Sequence, residues 1–154
     1  NPVSEHADRN LNLSGLGKLL AMSGRLNLDT LACLQFKSEF GTKNTYELKT
    51  TREKHTEEKH IVSTKHRGYE LFSEDADYGN LAYRLRNQAE IKSTQLSDEF
   101  TFERYLKEYE GNIVPMFAID NKQRLHVFVV NGEMKPKPGW TIIAMIDKVN
   151  SIDT

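Results

Sequence analysis

The chain has 154 residues, 28% of them charged and 38% hydrophobic, with a formal net charge of −1. That length suits one ordinary domain or two small lobes, and the balance is that of a folding chain rather than a disordered one. Acidic and basic residues are mixed throughout, so no basic stripe exists to neutralise phosphates, and nucleic acid is not an expected partner.

No apolar run approaches the roughly 18 residues of a membrane helix, and the start lacks a basic, then apolar, signal pattern. Direct membrane insertion is therefore not expected. The chain begins at Asn1 with no initiator methionine. It is expected to be a processed protein or a piece of a longer one.

Residues 10–17, Asn-Leu-Asn-Leu-Ser-Gly-Leu-Gly, read as a short helix or turn, and the apolar run Leu19, Leu20, Ala21, Met22 as a buried strand ending at Ser23-Gly24. Leu28, Leu31, Ala32, Leu34, Phe36 and Phe40 then recur at helical spacing, with Gly41 as the stop. Cys33, the only cysteine, lies inside that apolar run and reads as a small buried hydrophobe. Residues 45–48 form a further short strand.

Residues 50–67 have a linker's composition. His55, His60 and His66 fall here beside Glu57 and Glu58, but gaps of five and six residues match neither a helical i, i+4 pair nor a zinc-finger spacing. No metal site is expected.

Tyr78, Leu81, Ala82 and Leu85 form an i, i+3, i+4, i+7 set, one face of a helix over 77–88. A strand follows over 90–96. Ser97-Asp98-Glu99 offers a helix entry before Phe102, Tyr105, Leu106 and Tyr109, with Gly111 as the stop. Strands at 114–119 and 125–130 flank the hairpin-length turn Asp120-Asn121-Lys122-Gln123-Arg124, and after Pro136-Lys137-Pro138-Gly139 a last buried strand spans 140–146. This half reads as a small α+β lobe.

Motifs for chemistry are missing. A pyrophosphate-binding turn needs glycines between a strand and the helix that follows, whereas Gly15 and Gly17 precede a strand, and no GxxxxGK[ST] occurs. Ser23-Gly24 is the nearest approach to a nucleophile turn but lacks the preceding glycine. His126 reads as a satisfied strand histidine, and Asp98, Glu99, Glu108 and Glu110 as helix-terminus or solvated charges. Phe102, Tyr105, Phe117, Phe128 and Trp140 read as core rather than as a stacking platform. No catalytic residue is assigned, cofactor-binding residues remain unassigned, and the chain is not expected to be an enzyme.

The segment LNLSGLGKLLAMSGRLNLDTLACLQFKSEFG resembles the last part of a regulator of potassium conductance (RCK, or KTN) domain, as found in the cytosolic tail of bacterial sodium/proton antiporters. DYGNLAYRLRNQAEIKSTQLSDEFTFERYLKEYEGNIVPMFAIDNKQRLHVF and KPKPGWTIIAMI resemble the remainder of that tail and its small C-terminal lobe. Leu26-Asn27-Leu28-Asp29 stands where the family carries an acidic-acidic-any-asparagine motif.

The resemblance implies an α/β to α+β fold: the C-terminal half of a Rossmann-like unit over 1–50, a polar linker over 51–70, and a small α+β lobe with a β-hairpin over 71–149. It further implies a cytosolic regulatory domain of a monovalent cation/proton antiporter, on the cytoplasmic side of the bacterial inner membrane, with the transmembrane domain of the same parent chain as partner. Because the first Rossmann half is absent, no cofactor is expected in this chain, and a nucleotide only with that half present. The strand at 18–23 is left with an unpaired edge, which implies a homodimer or a repacked first lobe. The alternatives are a free-standing soluble ligand-binding or enzymatic α/β domain, and a structural dimerisation domain.

Overall fold

A computed structural model describes residues 15–50 and 68–148. The expected helix or turn at 10–17 therefore lies mostly outside the described residues, as do the histidines and glutamates of the polar stretch. The fold is mixed: a parallel three-stranded sheet with a helix, and an antiparallel four-stranded sheet with helices. These belong to two compact units. Described residues up to Leu71, with Asp77–Gly79, form the first, while Phe72–Ala76 and the residues from Asn80 onward form the second.

In the first unit, strand β1 (Leu19–Ala21) leads into helix α1 (Leu26–Phe40), and a 3-10 turn at Thr42–Asn44 delivers the chain to β2 (Thr45–Glu47). β2 pairs in parallel with β1, Leu19 opposite Thr45 and Ala21 opposite Glu47. β3 (Tyr69–Glu70) pairs in parallel on the other side of β2. These two residues closed the stretch expected to be linker. A two-residue strand is too short to show alternation, and only the neighbouring β2 makes it one.

Gly41 ends α1 at φ +77, its N–H donating to Lys37 O at 2.8 Å. This is the left-handed stop that glycine adopts without a Cβ penalty. Cys33, Ala32 and Phe36 are buried as expected, but Leu31 and Leu34 are 51% and 45% exposed. Asp29 and Thr30 are buried in their stead. The expected apolar stripe is thus turned outward at its middle. The buried positions 29, 30, 33 and 36 are themselves helically spaced, and the two polar ones have partners at the end of the sheet.

In the second unit, α2 (Tyr78–Arg86) continues from the first and precedes strand β4 (Glu90–Gln95). Helix α3 (Phe102–Glu108), β5 (Ile113–Ile119), β6 (Leu125–Val127) and β7 (Thr141–Ile146) follow. The sheet order is β4-β7-β5-β6, antiparallel throughout. Of the expected apolar face of α2 only Leu81 is buried, and Tyr78 and Leu85 are exposed. The cap of α3 is Thr101, whose hydroxyl accepts the Arg104 N–H at 3.4 Å, rather than the expected Ser97-Asp98-Glu99. Ser97 accepts the Phe100 N–H and shapes the turn before it.

Tyr105, Ala118, Ile142 and Ala144 are inaccessible to solvent and, with Leu96 and Ile146, form the core. Phe100 and Tyr109 meet the Tyr105 ring edge-on at 6.0 and 5.5 Å. This geometry suits the ring quadrupoles, and burial raises the Tyr105 phenol pKa. Pro115 sits in β5 beside a register shift between Pro115 and Phe117, the irregularity that lets a residue without an N–H occupy a central strand.

Ile142→Ala should cost about 2–5 kcal/mol and Phe36→Ala about 3–5. Leu34→Ala should stay within about 0.5 kcal/mol because Leu34 faces solvent. Urea denaturation of the three variants measures this, and a large loss at Leu34 would contradict the outward turn of α1.

Candidate functional site

Parallel sheets gather function at the carboxyl ends of their strands, where loops leave for the next helix. In the first unit this edge carries Ser23, Asp29, Thr30, Glu47, Lys49 and Glu70. Asp29, in the first turn of α1, accepts the Ser23 N–H with both carboxylate oxygens, each at 3.0 Å. Ser23 Oγ in turn accepts the Arg25 N–H at 3.2 Å. The turn between β1 and α1 is thereby closed on itself.

Gly24 holds φ +72 inside this turn, and a Cβ there would lie 2.8 Å from the Tyr78 ring. Both its conformation and its neighbour require glycine. One strand over, the buried Thr30 hydroxyl donates to Glu47. At the ends of β2 and β3, Lys49 Nζ meets Glu70 Oε1 at 2.6 Å. Beneath them Cys33 donates to Tyr46 O at 3.5 Å, and its thiol pKa is pushed up to about 12, chiefly by burial and next by the charge of Glu47. A thiol held protonated is a poor nucleophile, so Cys33 acts as core.

The chemistry of this edge follows from its charge. An anion approaching the β1–α1 turn would meet the Asp29 carboxylate already bound to the Ser23 N–H. Ser23, the nearest sequence approach to a nucleophile, is instead a part of that clamp.

The second unit holds another cluster. Asp120 Oδ1 accepts the backbone N–H groups of Lys122 at 2.8 Å and Arg124 at 3.0 Å. Its Oδ2 accepts Arg124 Nε at 2.8 Å and His126 Nε2–H at 2.9 Å. These bonds, first that of His126 and then those of Arg124, hold the Asp120 carboxyl well below the usual carboxylate range. The His126 ring stacks on Trp140 at 4.9 Å. Sequence reading placed His126 correctly on a strand as a satisfied residue but missed its partner. Only hairpin closure brings position 126 back over position 120.

Tyr83, Arg84, Arg86, Asn87, Gln88, Asp147 and Lys148 line a cleft of about 440 Å³ in the second unit. Its lining carries three basic side chains and one acidic one, so it is basic on balance. Arg84 Nη1 lies 3.7 Å from Asp147 Oδ2, and Lys148 donates to Gln88 at 3.3 Å. Among the described residues no group of three or more His, Cys, Asp or Glu is placed to hold a metal ion, and no helix is long and apolar enough to cross a membrane. No protein-family model, curated protein or solved structure matches the chain.

Two substitutions test the clamps. Gly24→Ala should destabilise the first unit by more than about 1 kcal/mol, read as a lowered denaturation midpoint. Asp120→Asn should lower the melting temperature at neutral pH. A carboxyl whose folded pKa is depressed contributes stability above the ordinary carboxylate range and loses it as pH falls through the folded value. The gap between wild type and Asp120→Asn should therefore be widest near neutrality and shrink in strong acid. A gap independent of pH would rule out the carboxylate as its source.

Proposed function

We propose that this chain is a regulatory module of a membrane monovalent cation/proton antiporter, acting from the cytoplasmic side through paired lobes. The observation that supports this most directly is the division into two units of different kind. A parallel β–α–β unit is followed by a separate antiparallel α+β unit with a β-hairpin, closed by the Pro-Lys-Pro-Gly turn, the composition the resemblance implies. Among the described residues β1 stands at the edge of its sheet, and the resemblance would set the further strands of a Rossmann-type sheet beside it.

Regulation in this reading is a difference in affinity between two arrangements of the lobes, because an effector that binds both equally shifts neither. The transport part of the parent chain senses that difference. Nucleotide is not the effector of this chain alone. The N–H at the first strand-to-helix turn is held by Asp29, and an added phosphate would be repelled there.

The test is made in the parent transporter. Removal of the region encoding this chain should leave ion exchange in everted vesicles intact but abolish its dependence on pH or effector. Exchange regulated as before would overturn the reading, as would an upstream gene region encoding no membrane-length apolar segments. Calorimetric titration of the chain with NAD or ATP should show no binding, and saturable heat with either would remove the argument drawn from Asp29.

A further inference from the structure

The two edges of the antiparallel sheet are finished differently. On one side β6 is three residues long, and just beyond it Phe128 O accepts the Phe72 N–H at 2.8 Å, so that edge is short and covered. On the other side β4 runs for six residues without proline or bulge, in continuous register with β7 from Glu90–Ile146 to Gln95–Thr141. Five of its six residues are exposed, including Ile91 at 51%. Glu90 and Lys92 put charge on this edge, but neither a proline nor a bulge interrupts it.

The direction of its free groups follows from the ladder. Leu96 donates its N–H to Trp140 O and accepts the Gly139 N–H, so the even-numbered residues of β4 turn their main chain toward β7. By alternation Ile91, Ser93 and Gln95 turn their N–H and C=O groups outward.

We propose that β4 is the contact through which two copies of this chain associate, by antiparallel pairing about a two-fold axis at Ile91. Charge selects this register from the alternatives. An axis at Glu90 or Lys92 would set like charges directly opposite each other, and one at Ser93 would match Lys92 only with Thr94. With the axis at Ile91, the two isoleucines face each other as a hydrogen-bonded pair. Glu90 of each copy then lies opposite Lys92 of the other, twice by symmetry.

Within one chain these two side chains already approach to 3.3 Å while remaining 60% and 53% exposed, so both are free to exchange partners. The Ala89 N–H is bonded to Arg84 O, which ends the new ladder with Ser93 donating to Ala89 O of the second copy. A contact this short buries less than a standard interface and gives a weak, concentration-dependent dimer. This inference rests on the second unit alone and stands whether or not the chain serves a transporter.

Cysteine cross-linking of the whole chain reads the register directly. Ile91→Cys places two thiols on residues whose Cα atoms are about 5.5 Å apart, inside the roughly 4.4–6.8 Å range of a disulfide. Ser93→Cys places them about 13 Å apart. Cys33 is fully buried, so the introduced thiol is the reactive one. Mild oxidation should yield a disulfide-linked dimer from Ile91→Cys and not from Ser93→Cys.

In sedimentation over a concentration series, Glu90→Lys should weaken the dimer about tenfold by turning two attractions into repulsions. Glu90→Lys with Lys92→Glu should restore it. A wild-type chain that remains monomeric, equal cross-linking at position 93, or a Glu90→Lys dimer of unchanged strength would each overturn the proposal. Unaltered regulation of ion exchange in a Glu90→Lys transporter would count against the transport reading and leave the cross-linking result untouched.

Discussion

Strand β7 is hydrogen-bonded along Thr141–Ile146 to β4 on one side and to β5 on the other, and the second unit is arranged around that double pairing. An unpaired main-chain group buried from water costs about as much as a lost hydrogen bond. The central strand must therefore find two partners, and its alternation then decides which side chains become core. Ile142, Ala144 and Ile146 fall on the face that holds Tyr105, and Met145 on the other. The same rule of phase passes outward to β4 and leaves its odd-numbered residues turning their main-chain groups away from β7, with no strand beyond them among the described residues.

The first unit obeys a different version of the constraint. Parallel strands need a crossover, and the crossover must leave one strand and enter a helix within a few residues. Gly24 and the Asp29 clamp accomplish this, one by adopting a left-handed turn beneath the Tyr78 ring, the other by fixing the Ser23 N–H. That stabilises the turn and also determines its chemistry. A carboxylate now occupies the Ser23 N–H, so the turn presents negative charge where a free donor would otherwise stand.

The hairpin of the second unit repeats this economy of means. A single carboxylate at Asp120 serves two backbone donors and two side chains, and the His126 ring it holds lies flat on Trp140. Gly139 holds φ +88, a conformation that favours glycine, and a Cβ there would lie 2.5 Å from Asn121 Oδ1, so the Pro-Lys-Pro-Gly turn sits close against the hairpin turn. The hairpin turn, the start of β6 and the Pro-Lys-Pro-Gly turn are thus held together at one end of the sheet.

The sequence by itself determined the mixed fold class, the long helix over Leu26–Phe40 with its glycine stop, the hairpin and the last buried strand, because each carries a local period or a turn residue of fixed conformation. It also determined that Cys33 is core. Tertiary structure alone decided which face of α1 turns inward. Asp29 and Thr30 become buried only because Ser23 and Glu47, six and seventeen residues away, supply their partners. β3 likewise exists as a strand only beside β2, and His126 meets Asp120 only when the hairpin closes. The exposure of β4 was illegible for the same reason. The alternation in its sequence specifies an extended segment, but whether its second edge is paired depends on strand order, which is set by the competition of all the strands for β7.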